Sequence, residues 1–214
     1  MDRLRRHGLR LVVHLGALLP LADMIWDGAH GNLSADPIRE ITLRTGRWAL
    51  ILLIITLACT PANSWLGFRQ AIRHRRTLGL YAFLYASLHF LTFLVLDYGL
   101  NPALLKDALL EKRYALAGLA SFLILAALAM TSTRGWMRRL GRRWKQIHRL
   151  VYAAAIIAII HFLWLVKADL SRPLRYGAVV AVLLALRLPM LRRRSRWLPW
   201  RRYPLSRPQR APEG

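Results

Sequence analysis

Long apolar runs separated by short charged stretches dominate this chain. Six runs can be read: Leu9–Trp26, Trp48–Pro61, Leu78–Leu96, Tyr114–Met130, Ile147–Val166 and Tyr176–Leu191. A bilayer-spanning helix needs about 20 residues and at least about 17, so the shorter runs borrow polar flanks. Inside lipid every backbone N–H and C=O must be satisfied within the segment, which a helix achieves and an isolated strand does not. The expected fold is all-α, a six-helix transmembrane bundle. Residues 1–8 precede it, 9–191 form it, and 192–214, rich in Arg and Pro, are expected to be a disordered basic tail on the lipid surface.

Composition matters mainly through where the charges fall. The 214 residues carry 33 Lys and Arg against 10 Asp and Glu, a net +23. On a soluble chain that excess would suggest nucleic acid. Here 24 of the 33 cations fall in four regions: the N-terminus, Arg69–Arg76, Arg134–Arg149 and the chain from Arg187 onward. Those regions hold only two acids, Asp2 and Glu213, whereas the three alternate loops share nine cations and eight acids. Cationic loops stay cytoplasmic, so both termini are expected inside. Topology thus accounts for the charge, and no nucleic-acid partner is expected. Trp26, Trp48 and Trp164 mark the outer boundary, and Trp65, Trp136, Trp144, Trp197 and Trp200 the inner one, the headgroup level that indole prefers. The first run ends in Asp23, Trp26 and Asp27 without a small-residue cleavage site, which argues against a signal peptide. Cys59, the single cysteine, has no partner for a disulfide, and no C-x-x-C, Walker loop or G-x-G-x-x-G is present. No internal repeat is evident.

The candidate chemistry lies in histidines set within apolar runs. An ionisable side chain in hydrocarbon is costly and usually faces a bundle interior for a functional reason. His89 lies 11 residues past Leu78 and eight before Asp97, and His161 lies six before Lys167. The two therefore sit at similar depth in the outer half, on two different helices. That placement suits two-sided ligation of a haem iron through neutral imidazoles. The plain alternative is a hydrogen bond to a neighbouring helix. His148 precedes His161 by 13 residues on one run, about 20 Å along a helix, which one haem does not bridge. On an ideal helix the two side chains point about 140° apart, so they share a face only if the helix bends.

Other candidates have simpler readings beside the functional one. His14 in the first run is a further inner-side partner or a helix contact, and His7, His30 and His74 are expected to be solvated. Arg75 and Arg76 anchor the inner boundary or bind an anionic group such as a haem propionate, a flavin phosphate or a lipid. Asp23, Asp36, Glu40, Asp97 and Asp107 orient a soluble partner or are simply solvated. A multipass transporter or channel with a histidine proton relay is the rival class, but no inverted repeat or pair of broken helices favours it. A structural assembly subunit is a third. Colour separates them, because only a haem protein is red in detergent.

Five stretches carry a resemblance. They are R-R-T-L-G-L-Y-A-F-L-Y-A-S-L-H ending at His89, T-S-T-R-G-W-M-R-R-L-G-R-R-W-K-Q-I-H-R-L-V-Y around His148, and I-I-H-F-L-W-L-V-K around His161. With them stand H-L-G-A-L-L-P-L in the first run and G-N-L-S-A-D-P-I-R-E-I-T-L-R-T-G after it. Over most of residues 9–190 the chain resembles the MsrQ (YedZ) family, haem-binding membrane subunits of the bacterial periplasmic methionine sulfoxide reductase system. The resemblance implies a ferric-reductase-like transmembrane domain in the inner membrane, with haem b and FMN as cofactors. It implies electrons drawn from membrane quinone and passed to a periplasmic, molybdopterin-containing MsrP-like subunit, which reduces methionine sulfoxide. The catalytic centre would then lie on that partner. The haem histidines carry over to His89, His148 and His161. The wider ferric reductase group has two spaced histidines on each of two helices, whereas here the position 14 before His89 is Arg75. The reading leaves no room for cytoplasmic flavin and nicotinamide domains, so a membrane quinol or a soluble flavoprotein is expected to supply electrons.

Overall fold

The computed structural model describes residues 2–166 and 168–187, with side-chain surroundings from Gly8 onward. The tail expected at 192–214 and the end of the sixth run lie outside the described residues. Within them the chain is helical: α1 (Asp2–Ala29), α2 (Pro37–Leu66), α3 (Arg69–Leu91), α4 (Pro102–Glu111), α5 (Arg113–Met130), α6 (Arg134–Leu140), α7 (Arg142–Ile147), α8 (Leu150–Leu165) and α9 (Ser171–Ala185). A π-helical turn, Thr92–Asp97, continues α3.

Local chemistry sets the helix ends. Asp36 caps α2 by accepting from the Arg39 amide at 3.0 Å, with Pro37 preset for the first turn. Gly67 closes α2 with φ +68, a left-handed conformation that a glycine adopts without strain. Asn101 and Pro102 repeat the entry device at α4.

Five segments are long and apolar enough to cross a membrane: Gly8–Ala29, Pro37–Leu66, Arg69–Asp97, Arg113–Met130 and Arg142–Leu165. This is a multispan membrane protein. The sixth run is represented by α9, whose 15 described residues reach about 22 Å, short of the ~30 Å hydrocarbon core. Leu11, Val12, Leu15, Leu19, Leu123 and Val182 are exposed, as lipid-facing positions should be.

Packing is built from two close helix pairs, α2 on α3 and α5 on α8, joined mainly where α3 meets α5. Small residues let the helices approach: Ala82, Ala154 and Ala155 are fully buried, and Gly177 of α9 meets Ile159 of α8. Buried hydroxyls tie helices through backbone carbonyls, Tyr85 Oη donating to Ala17 O at 2.8 Å and Ser121 Oγ to Ala154 O at 3.0 Å. The fifth span is broken. α7 ends at Ile147, His148 and Arg149 form a turn, and α8 begins at Leu150. The 140° expected between His148 and His161 on one ideal helix therefore does not apply.

Candidate functional site

His89 comes from the last turn of α3, one turn before the π-helical segment, and His161 from the last turns of α8. Their ring centres are 6.0 Å apart with planes crossing at 78°. The structure thus brings together, across the two helix pairs, the two histidines that sequence placed at one depth.

Both rings are held by the same device. His89 Nδ1 lies 2.8 Å from the Thr42 carbonyl oxygen, and His161 Nδ1 lies 2.7 Å from that of Tyr114. A carbonyl oxygen only accepts, so each Nδ1 carries the proton and donates it. In the neutral ring that leaves the lone pair on Nε2, the tautomer and orientation a metal-ligating imidazole needs. A glycine then lets the Nδ1–Cε1 edge of each ring approach its neighbouring helix closely. A Cβ at Gly46 would stand 3.0 Å from His89 Nδ1, and one at Gly118 would stand 2.8 Å from His161 Nδ1.

These parts repeat. Each carbonyl lies 47 residues before its histidine. Thr42 to Tyr114, Gly46 to Gly118 and His89 to His161 share an offset of 72 positions. No internal repeat was expected, and this corrects that reading. Leu53, Leu78, Ala82 and Ala86 recur at the same offset as Leu125, Leu150, Ala154 and Ala158, but most of the residues between differ and mask the repeat. The first copy carries an added brace. Thr42 Oγ1 lies 3.3 Å from Thr92 Oγ1, and Thr92 Oγ1 donates to the His89 carbonyl at 2.8 Å.

The residues fit a haem. Two imidazoles joined through one metal, at about 2 Å per metal–nitrogen bond, have ring centres about 6 Å apart. The donor set is two neutral nitrogens, each with its other nitrogen anchored, as bis-imidazole ligation requires. Among the described residues no group of three His, Cys, Asp or Glu could hold a bare metal ion.

His148 is placed differently. Its ring packs against Trp144 with centres 4.1 Å apart and planes tilted by 32°, and its Nε2 lies 3.3 Å from Thr131 Oγ1. The Thr131 hydroxyl donates to Ala127 O at 2.7 Å, so Nε2–H of His148 is the donor to Thr131. Trp144 Nε1 donates to Thr131 O at 2.9 Å, closing a small cluster at the end of the bundle away from the paired histidines. Arg75 is half-buried and Arg76 exposed, both close enough for their charges to act on His148. The offset of 72 pairs Arg76 with His148. His14, exposed on α1, bonds Tyr81 Oη of α3 at 2.7 Å, a contact between helices.

At the other face Arg44 bonds Asp27 at 2.5 Å and Glu40 at 3.2 Å, tying α1 to α2 beside the first glycine. Sequence reading missed Thr42, Gly46, Tyr114 and Gly118. The signal available for them was a glycine inside each of two apolar helices, 43 residues before a histidine in both cases.

Residues 45–159 match the family described as the ferric reductase like transmembrane component. A protein-methionine-sulfoxide reductase heme-binding subunit MsrQ from Xanthomonas euvesicatoria is 44% identical over 185 residues, covering 84% of this chain and 85% of that one. The subunits of the same name from Bordetella pertussis and Rhodospirillum rubrum are each 43% identical, covering 84% and 86% of this chain and 88% and 90% of their own lengths. No solved structure matches the chain. With such identity over most of both lengths, and a ferric-reductase-like match that takes in His89 and ends two residues before His161, the chain belongs to the MsrQ family.

Proposed function

We propose that this chain is a haem b electron-transfer subunit that feeds a methionine sulfoxide reductase. One observation carries the reading: His89 and His161 have ring centres 6.0 Å apart, with each Nδ1–H bonded to a backbone carbonyl and each Nε2 left with its lone pair. The relatives' shared name, a heme-binding subunit of a protein-methionine-sulfoxide reductase, supports it. Haem bound there supplies reversible one-electron transfer. The Thr42 and Tyr114 carbonyls hold the two rings in the ligating tautomer, and Gly46 and Gly118 set how closely those rings approach their helices. The paired rings are half-buried among apolar helices.

The finer reading assigns direction. Both termini lie in the cytoplasm, the membrane is the bacterial inner membrane, and the paired histidines lie toward the periplasm. Membrane quinone, with FMN as an intermediary group, delivers electrons at the His148 end, where Arg75 and Arg76 supply positive charge for an anionic group. A periplasmic molybdopterin-containing subunit receives them, so the chemistry on methionine sulfoxide takes place on that partner.

An absorption spectrum tests the core of this. The purified protein is expected to show reduced b-type bands, counted per chain as the pyridine haemochrome. A colourless protein overturns the reading. Re-oxidation of the reduced haem by the catalytic partner, alone and with methionine sulfoxide, tests the acceptor side.

A further inference from the structure

Arg187 follows α9 and is only 5% exposed, although it carries a full charge within an apolar bundle. Its surroundings are specific. Pro61 lies inside α2 and has no N–H, so the carbonyl one turn earlier, on Leu57, loses its helical partner. An Nη of Arg187 donates to that Leu57 carbonyl, and the other donates to Tyr152 Oη at 2.5 Å. The guanidinium also sits over the Tyr152 ring, 4.9 Å from its centre.

These contacts satisfy some of the donors but supply no counter-ion. Arg187 Nε is buried without a hydrogen-bond partner, and so is Thr60 Oγ1, three positions after Leu57 on α2. Arg75 is near enough for the two cations to repel. Among the described residues the ion pairs are those of Arg44, and Arg187 has none. A buried cation without an anion is strongly unfavourable in a membrane interior. Tyr152 is four residues past His148, so this group lies toward the His148 end.

We infer that Arg187 seats an oxyanion of the redox group bound at the His148 end, a haem propionate carboxylate or a flavin phosphate. This rests on the proposed entry of electrons at that end. It adds a binding residue on α9, a helix that supplies none of the histidines.

The test uses the full-length protein in phosphatidylcholine nanodiscs, comparing wild type, R187Q and R187K. Binding of FMN is measured against riboflavin, and binding of the second equivalent of haem against haem dimethyl ester. In the wild type, one acid-bearing ligand is expected to bind at least about tenfold more tightly than its neutral counterpart, the scale of a charged hydrogen bond. The pair that shows the preference identifies carboxylate or phosphate. R187Q is expected to abolish the preference and R187K to retain part of it, with the spectrum of the paired-histidine haem unchanged in both. Equal affinities within both pairs in the wild type overturn the inference, whether or not R187Q accumulates. So does a preference that survives in R187Q, or one that disappears when phosphatidylglycerol is included, which would give the seat to lipid. A wild type without b-type bands defeats the electron-transfer reading itself, a result separate from all of these.

Discussion

The two ends of the bundle handle histidine in opposite ways. At one end His89 and His161 present the same nitrogen, anchored by the same kind of carbonyl and eased by the same kind of glycine. At the other, His148 stands alone, packed against Trp144 with its Nε2 turned to Thr131, and its counterpart by offset is Arg76. A duplicated device yields a symmetric two-sided site. Where one copy carries an arginine, the same helices yield a cationic region instead, which suits binding an anion and passing electrons onward.

Removing a ligand should expose the contrast most sharply. H89A and H161A are each expected to abolish the haem at the paired end, read as loss of the low-spin b-type spectrum. H148A should leave that spectrum in place and slow reduction of the haem by quinol severalfold in the same membranes. A paired-end haem retained unchanged in both H89A and H161A would break the ligand assignment. If H148A lost that haem while any remainder was reduced at the wild-type rate, His148 would not belong to the entry side.

The glycines sharpen the comparison within the paired end. The new methyl of G118A would meet His161 Nδ1 at 2.8 Å, closer than the 3.0 Å that G46A would impose on His89. Neither ring can retreat without stretching its Nδ1–H bond to the carbonyl. Overpacking of this kind costs roughly 1–3 kcal/mol. Haem affinity should therefore fall about tenfold or more in G118A and less in G46A, measured by haem transfer to an apo-acceptor. Equal, negligible losses would show that the rings are not set by these contacts.

How much of this was legible in the sequence depends on what each residue costs. His89 and His161 stood out because imidazole in an apolar helix needs a reason, and depth counting paired them. The spans were legible for the same kind of reason, since apolar runs of that length have few other fates. The carbonyls of Thr42 and Tyr114 left no mark, because any residue supplies a carbonyl. Gly46 and Gly118 are small residues in helices rich in them, and only their spacing to the histidines sets them apart. The break after α7 falls in K-Q-I-H-R, which contains neither proline nor glycine. Arg187 counted as one more cytoplasmic cation, since nothing local reveals that Pro61, far along the chain, frees a carbonyl for it.

The smallest expected effect concerns how each copy of the device is fixed at its start. The offset of 72 pairs Glu40, which accepts from the Ser34 amide at 2.6 Å, with Lys112. Lys112 lies outside the spans, two residues before the Tyr114 carbonyl, and its ammonium donates to Tyr98 Oη at 2.7 Å. That bond holds the ammonium above the ordinary lysine value of 10.5, against a smaller desolvation effect. A group whose folded pKa is raised stabilises fully below its unfolded value, and the gain is lost as pH rises through the folded one. Y98F should therefore lower the melting temperature slightly at neutral pH, by about 2 °C or less for a partly solvated contact, with the gap closing in strongly alkaline buffer. The haem spectrum of Y98F should match the wild type. A shifted spectrum would instead mean that the Tyr98–Lys112 contact positions the Tyr114 carbonyl, and that the two copies differ in rigidity at the ligand itself.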